Sequence, residues 1–210
     1  MPQHVVLLGD SIFDNASYTR GEPDVVSHLR SLLPPPWKAT LAAIDGATTA
    51  GLARQVARVA ADTSHLIVSV GGNDALMNRD LLQTRVASTA EALALFNTRV
   101  NGFEADYRRA VTAVLALEKD TTLCTIYNGD LEPHEAPLAR IALSMFNDVI
   151  VRVAVEHRLK LIELRQVCDE RADYANPIEP SGRGGRKIAQ AIARAIGAVP
   201  DARASVVFGG

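Results

Sequence analysis

The sequence contains only two cysteines, Cys124 and Cys168, among its 210 residues. This number is too small for a disulfide framework, and the distance between the two residues along the chain does not match a metal-ligand spacing. Because free cysteines are typical of reducing compartments, we expect a cytoplasmic protein. We also expect it to use neither a metal ion nor another cofactor.

An excess of charge of one sign is missing, and so are long apolar segments. The formal net charge of -2 argues against a dedicated nucleic-acid binder. No apolar run approaches the roughly 18 to 20 residues of a membrane span. The first residues, MPQHVVLLGDS, contain no basic region, so we expect no signal peptide. Neither nucleic acid nor a membrane is therefore expected as a partner, and the sequence leaves the oligomeric state open.

Aromatic residues make up only 5% of the chain, whereas 48% of it is hydrophobic, mostly Ala, Val and Leu. Short apolar runs alternate with longer segments of helical period. This pattern predicts a three-layer α/β/α domain over residues 1–200, with a parallel sheet of about five strands. The tail at 201–210 shows no helical period. The predicted strands are 4–9, 38–45, 66–71, 122–128 and 159–164. The predicted helical segments are 24–33, 49–61, 80–119 (long enough for two helices), 137–157 and 185–196.

The chemistry of such a sheet is expected beyond the carboxyl ends of its strands. Three motifs stand there, at the ends of the first three predicted strands: Gly9-Asp10-Ser11, Asp45-Gly46 and Gly71-Gly72-Asn73-Asp74. In their order and spacing they resemble the blocks of the SGNH (GDSL-type) hydrolases, which carry the family's serine, glycine and asparagine. Any one of these motifs is weak alone, but all three coincide with strand ends. The resemblance covers most of the chain.

The resemblance implies a flavodoxin-like sheet with strand order 2-1-3-4-5 and an activity that cleaves esters. It implies that Ser11 is the nucleophile. The backbone N–H groups of Ser11 and Gly46 and the side-chain amide of Asn73 would form the oxyanion hole. These residue types suit those roles, since a serine on the turn after a buried strand is accessible and lies near helix dipoles. The simpler interpretation makes Ser11 a helix cap and residues 71–73 a turn.

Four polar neighbours of these motifs have a structural interpretation first. A carboxylate beside the nucleophile would raise the pKa of the serine. We therefore expect Asp10 and Asp74 to accept hydrogen bonds from loop N–H groups and to hold the two loops. Asp14 and Asn15 are expected to shape the pocket or to cap the following turn.

The last block departs from the family pattern, which is Asp-x-x-His. Here Asn176 stands at the aspartate position and Glu179 at the histidine position, and no histidine follows His157. We interpret the two changes together as a Ser11–Glu179 dyad, in which the Asn176 amide donates a hydrogen bond to the carboxylate. An ordinary Glu has a pKa of about 4.3 against about 6.5 for His, so it is the weaker base by about 3 kcal/mol. Burial could raise that pKa, and otherwise activity should fall only below about pH 5.

His134 is the rival for the general base, because it follows the fourth predicted strand on the side where ligands bind. The other histidines suit packing, surface or helix-end roles: His4, His28, His65 and His157. We expect both cysteines to be buried. Trp37 and Tyr174 are expected in the core or at the rim of the pocket.

Two functions remain open. The first is a hydrolase of small, short-acyl esters, since no long insertion resembles the lid of a lipase. The second is a catalytically weak or inactive protein that holds a carboxylate, an acetyl group or a sugar in the same pocket. A hydrolase needs Glu179 within about 3.2 Å of Ser11. A binding protein would tolerate Glu179 in solvent or paired with Arg183 or Arg186.

Overall fold

The computed structural model describes residues 3–199 and contains one parallel sheet. Its strands follow the order β2-β1-β3-β4-β5, which confirms the topology that the resemblance implied. All four neighbouring pairs are parallel. The strands are β1 (His4–Gly9), β2 (Lys38–Leu41), β3 (His65–Ser69), β4 (Asp120–Cys124) and β5 (Lys160–Ile162). The predicted tail at 201–210 lies outside the described residues.

Helices cover both faces of the sheet, as expected for a three-layer α/β fold. Helices α1 and α7 pack against one face, and α2, α4 and α5 pack against the other. The helices are α1 (Val25–Leu32), α2 (Leu52–Val56), α3 (Gly72–Leu76), α4 (Thr89–Leu115), α5 (Ala136–Glu156), α6 (Leu164–Val167) and α7 (Gly182–Ala195). Short 3₁₀ turns occupy Thr49–Gly51, Arg79–Gln83 and Arg171–Asp173.

Strand β1 shows why its sequence is apolar throughout rather than alternating. Val5 and Leu7 point into the core beneath α1 and α7, whereas Val6 and Leu8 point into the core beneath α4 and α5. Successive side chains of a strand face opposite sides, so both sides must be apolar when both are covered. Burial on both faces fixes the strand in the centre of the molecule and places its carboxyl end at the site described below.

Four predicted strands end earlier than expected. The strands end at Leu41, Ser69, Cys124 and Ile162, although apolar residues follow each end. Residues past these ends, such as Val70 and Ile126, are still buried. An apolar run in the sequence therefore predicts which residues are buried. The last residue of the strand depends instead on where the chain turns into the loop.

Three helix predictions also need correction. Segment 49–61 forms a 3₁₀ turn and the short helix α2, which ends at Val56. Segment 80–119 forms a 3₁₀ turn and one long helix, α4, rather than two helices. The Ser88 side chain caps α4 by accepting a hydrogen bond from the Glu91 N–H. Helix α7 begins three residues before the predicted start, at Gly182, because Ser181 caps it. Within residues 3–199, none of the helices combines the length and apolarity that crossing a bilayer requires.

Candidate active site

The end of strand β1 is held in a conformation that only glycine can adopt. Gly9 has φ of 137°, and a Cβ there would lie 1.7 Å from the Ser69 carbonyl oxygen. The Gly9 N–H donates to Gln55 Oε1 and Gln55 Nε2 donates to the Gly9 carbonyl, both at 2.7 Å. These two hydrogen bonds from the Gln55 side chain in α2 fix the backbone of Gly9, two residues before Ser11. Sequence reasoning missed Gln55, because a polar residue in an amphipathic helix gives no signal of its own.

The structure brings Ser11 and Glu179 together from positions 168 residues apart. The Ser11 hydroxyl donates to Glu179 Oε1 at 3.0 Å. Both residues are buried, with 8% and 6% of their surface exposed. Arg183 pairs instead with Glu170 and Asp173. The distance meets the geometric requirement for proton transfer between the two groups.

Burial is the main influence on the acidity of Glu179. It raises the pKa of that carboxyl to about 7, the hydrogen bond from Ser11 lowers it, and the charge of Asp45 raises it further. Oε2 is buried and has no hydrogen-bond partner among the described residues. This direction agrees with the expectation that burial could raise the pKa of Glu179, so we expect activity to fall below about pH 7 rather than below about pH 5.

Asn176 contacts the backbone of the segment that carries Glu179 rather than its carboxylate. Its side-chain oxygen accepts hydrogen bonds from the N–H groups of Ile178 and Glu179, both at 2.9 Å. Among the described hydrogen bonds there is none from the Asn176 amide to the Glu179 carboxylate. The expected contact is thus corrected: the short loop folds back on the Asn176 oxygen, which positions Glu179 through the main chain.

Further hydrogen bonds anchor the same segment. The Ala175 N–H donates to the Glu179 carbonyl at 2.8 Å, and the Asp130 N–H donates to the Pro177 carbonyl at 2.9 Å. The Tyr127 hydroxyl, at the end of β4, donates to the Ile178 carbonyl. Segment 177–179 is therefore held on three sides. Tyr127 is a second contributor that sequence reasoning missed.

The two loops of the expected oxyanion hole are tied to each other. Asn73 Nδ2 donates to the Ala47 carbonyl at 2.9 Å. Asp74 accepts from the Thr49 N–H at 3.1 Å and from the Thr49 hydroxyl at 2.7 Å. A side-chain amide carries two hydrogens, so Asn73 keeps one for a substrate. These bonds agree with the loop-holding role expected of Asp74.

Gly46 adopts φ of 74°, in the left-handed region that favours glycine. Asn73 lines the same cavity as Ser11, whereas Gly46 borders a neighbouring cavity of about 280 Å³ that also includes Arg54. The structure thus places Asn73 beside Ser11 and Gly46 in the adjoining loop, one residue before the Ala47 carbonyl that Asn73 contacts.

Asp10 directly precedes Ser11 and is buried, with 2% of its surface exposed. Its Oδ1 accepts a hydrogen bond from the Ile12 N–H at 3.1 Å, in agreement with a scaffold role. Burial raises the pKa of Asp10 to about 8, and the charges of Glu179 and Asp74 raise it as well. Burial thus favours the neutral form of this carboxyl, which limits the negative charge next to Ser11.

The other two scaffold residues connect the site loops to their surroundings. Asp14 accepts a hydrogen bond from the Asp45 N–H at 2.9 Å. Asn15 is fully buried, accepts from the Val25 N–H and donates to the Pro180 carbonyl. Asn15 thereby joins the start of α1 to the end of the loop that carries Glu179.

Ser11 opens into a cavity of about 140 Å³ at the carboxyl ends of the strands. The same cavity is lined by Asn73 and Glu179. Most of its remaining wall is apolar and comes from α3, α4, α5 and the segment after β4. Ser11, the Glu179 carboxyl and Asn73, an expected oxyanion donor, thus face the same cavity.

The remaining candidates lie elsewhere. His134 is exposed in the turn before α5 and does not line this cavity. Trp37 stacks on His65 near the amino ends of the strands. Both cysteines are buried, and burial raises the pKa of Cys168 to about 12, so its thiol is unreactive. Residues 3–199 contain no group of three His, Cys, Asp or Glu side chains that could hold a metal ion.

Solved structures of similar fold include a lipase, a phospholipase and an esterase. An extracellular lipase from Streptomyces rimosus has a TM-score of 0.67 and 14% identity over 92% of this chain and 99% of the other. A phospholipase A1 from Streptomyces albidoflavus has a TM-score of 0.68 and 17% identity over 93% and 100%. A catalytic mutant of an acetylxylan esterase from Geobacillus stearothermophilus has a TM-score of 0.67 and 19% identity over 94% and 96%. At such identities the likeness shows the fold alone.

The family assignment comes from the sequence. No protein with a curated description matches the chain. The model of the GDSL-like lipase/acylhydrolase family matches residues 7–187, which include Ser11, Gly46, Asn73 and Glu179. Since this match covers most of the chain, the protein belongs to the GDSL-like lipase/acylhydrolase family.

Proposed function

We propose that the protein is a serine hydrolase of small, short-acyl carboxylic esters, with Ser11 as nucleophile and Glu179 as general base. The observation that carries the proposal is the 3.0 Å hydrogen bond from the Ser11 hydroxyl to Glu179 Oε1. Both side chains are buried, and both face the cavity that would receive the substrate. Family membership supports the same reaction class.

The first half of the reaction forms an acyl-enzyme. Glu179 Oε1 takes the hydroxyl proton of Ser11 as Oγ attacks the ester carbonyl carbon. The negative oxygen of the tetrahedral intermediate accepts hydrogen bonds from the N–H groups of Ser11 and Gly46 and from Asn73 Nδ2. The intermediate then collapses, the C–O bond to the alcohol breaks, and Glu179 passes its proton to the departing alcohol oxygen.

The second half reverses these steps with water. Glu179 takes a proton from a water molecule, whose oxygen attacks the acyl-enzyme carbonyl. The carboxylic acid leaves as Ser11 Oγ regains the proton from Glu179. With its pKa raised to about 7, Glu179 is as strong a base as a histidine of pKa about 6.5. Burial thus removes the disadvantage of about 3 kcal/mol that an ordinary glutamate would bring.

The alternative is a weak or inactive protein that holds a small ligand in the same cavity. A carboxylate ligand fits poorly, because its charge would meet the ionised form of the Glu179 carboxyl in a buried site. An acetyl group or a sugar would avoid this repulsion. The bond from Ser11 to Glu179 favours the hydrolase, since binding alone does not require a base at the hydroxyl.

The proposal includes a cytoplasmic location. Cys124 and Cys168 are both unpaired and buried. Free thiols are typical of a reducing compartment.

The test is turnover of para-nitrophenyl butanoate together with labelling by a fluorophosphonate. Wild type should hydrolyse the ester and be labelled at Ser11, and Ser11→Ala should lose both properties. His134→Gln serves as the control for the rival base and should keep the wild-type rate. A wild-type protein that is neither active nor labelled would favour the binding protein, and loss of activity in His134→Gln would transfer the role of base to His134.

A further inference from the structure

The cavity beside Ser11 has a polar end and a larger apolar body. The polar end contains Ser11, Asn73 and Glu179. The inner wall of the body is part of the hydrophobic core, since Ile126 and Phe146 have only 6% and 2% of their surface exposed. A group that enters this body leaves water for a hydrocarbon surface, which favours alkyl groups.

One helix provides a stripe of side chains along the cavity. Ala139, Ala142, Leu143 and Phe146 all belong to α5 and all line the space. The last three follow Ala139 by three, four and seven positions, so all four side chains lie on one face of the helix. Because two of the four are alanines, the space next to them is open. A larger side chain at position 142 would fill it.

The apolar lining continues onto the surface around the cavity mouth. Leu76, Leu82 and Ile178 line the cavity and are also exposed. These three side chains extend the apolar lining of the cavity to its mouth.

Few polar groups in the cavity wall are free to bind a sugar. Asn78 already donates to the Asp74 carbonyl and accepts from Arg99. Tyr127 donates to the Ile178 carbonyl and Asp10 accepts from the Ile12 N–H, so Arg79 and Asn128 are the remaining polar side chains of the wall outside the catalytic set. A polyhydroxylated group in the apolar body would leave hydroxyls without partners, at a cost for each.

The order of the two half-reactions indicates which part of the ester the cavity suits. The alcohol must leave and water must replace it next to Glu179, whereas the acyl group stays bonded to Ser11 through both halves. A cavity with apolar walls is a poor path for incoming water but a good site for an alkyl group that remains. Building on the proposed esterase activity, we propose that this cavity binds the acyl chain of the substrate. The preferred chain is an unbranched alkyl group longer than acetyl.

The test is a series of para-nitrophenyl acetate, butanoate and hexanoate, in which only the acyl chain changes. From acetate to butanoate, kcat/KM should rise by about fourfold for each methylene buried. Ala142→Phe should lower the ratio of hexanoate to acetate kcat/KM by roughly tenfold, as expected if about two methylenes lose their site. The matched control is Ala94→Phe, on an exposed part of α4, which should leave this ratio unchanged.

Three results would overturn the inference. The first is a wild-type preference for acetate. The second is an equal effect of Ala142→Phe and Ala94→Phe on the ratio. The third is a preference for hexyl acetate over ethyl hexanoate, which would assign the cavity to the alcohol.

A binding measurement separates this inference from the proposed activity. Calorimetry of Ser11→Ala with methyl hexanoate and methyl acetate requires no turnover. Tighter binding of methyl hexanoate that is lost in Ser11→Ala/Ala142→Phe supports the acyl site, whatever the activity of wild type. If wild type hydrolyses no ester, that result contradicts the proposed function but not the acyl site. Equal binding of the two esters would overturn the acyl site whatever the activity.

Discussion

The two ends of the sheet each contain a hydroxyl linked to a carboxyl. At the amino end, His4 Nε2 lies 2.9 Å from the Thr40 hydroxyl and His4 Nδ1 lies 2.8 Å from Asp62 Oδ1. This arrangement has the hydroxyl, imidazole and carboxylate of a serine-hydrolase triad. At the carboxyl end, the Ser11 hydroxyl meets only the carboxyl of Glu179. By side-chain identity alone, the amino end is the more complete site.

The surroundings reverse that order. Thr40 lies within strand β2, and none of the three amino-end residues lines the cavity that contains Ser11. At the carboxyl end, Ser11 faces this cavity together with Asn73, and the loop that carries Asn73 is bonded to the loop that carries Gly46. The comparison teaches that a nucleophile needs a substrate space and donors for the developing charge, which the carboxyl ends of parallel strands provide.

Removing one group from each end gives the largest expected contrast. Glu179→Gln should lower kcat by about 10²- to 10⁴-fold, because the amide cannot take the proton from Ser11. His4→Gln should leave kcat per folded molecule unchanged and lower the melting temperature, because buried hydrogen bonds are lost. Steady-state kinetics with para-nitrophenyl butanoate and thermal unfolding test both. A large loss of kcat in folded His4→Gln would contradict the assignment of the site to the carboxyl end.

The second contrast concerns the oxyanion donors. Asn73→Ala should lower kcat by about 10²- to 10³-fold with a small change in KM, because the lost bond forms mainly in the transition state. Asp74→Asn is the matched control, since it weakens the tie to Thr49 and retains the Asn73 amide. It should lose much less activity. Equal losses in the two variants would mean that Asn73 acts only by holding the loops.

How much the sequence revealed also differs between fold and site. Strand β1 was predicted with its observed bounds, because burial on both faces makes its sequence apolar throughout. Glu179 became a candidate because it stands at the histidine position of the family's last block, just before the last helix. In contrast, the role of Gln55 depends on which peptide its amide reaches, and the pKa of Glu179 depends on burial by distant segments. Both are tertiary effects, and no local pattern in the chain carries them.

The third contrast is the pH dependence of the rate. Glu179 must be ionised to accept a proton, so kcat/KM should fall tenfold per pH unit below about pH 7, where its raised pKa lies. A histidine base would make kcat/KM fall in the same pH range, so the midpoint of the pH–rate profile alone does not identify the group. The temperature dependence of the limb does, because carboxyl ionisation has a near-zero enthalpy whereas imidazole ionisation has a large one. A limb that moves strongly with temperature would contradict Glu179.

The smallest expected effects are on stability, and they have opposite signs at the two ends. The pKa of Asp62 is lowered to about 2, first by Lys38 and then by His4. Its contribution is present above the unfolded pKa of about 3.9 and is lost as the pH falls towards 2. The pKa of Asp10 is raised to about 8, first by burial. Folding therefore favours its protonated form, and stability is lost as the pH rises from about 4 to 8.

Matched amide variants measure the two contributions. Asp10→Asn should melt higher than wild type at pH 9, by on the order of 5–10 °C, because it removes a charge that folding must bury. The difference should shrink at pH 5, where Asp10 is protonated in the folded protein. Asp62→Asn should melt slightly lower than wild type at pH 7, and this gap should close near pH 2. The opposite result would be a melting temperature of Asp10→Asn that drops further below that of wild type at pH 9 than at pH 5. It would mean that the Asp10 carboxyl is ionised in the folded protein and that the fold stabilises its charge. Glu179 would then titrate beside a fixed negative charge, and its base strength at neutral pH could no longer be attributed chiefly to burial.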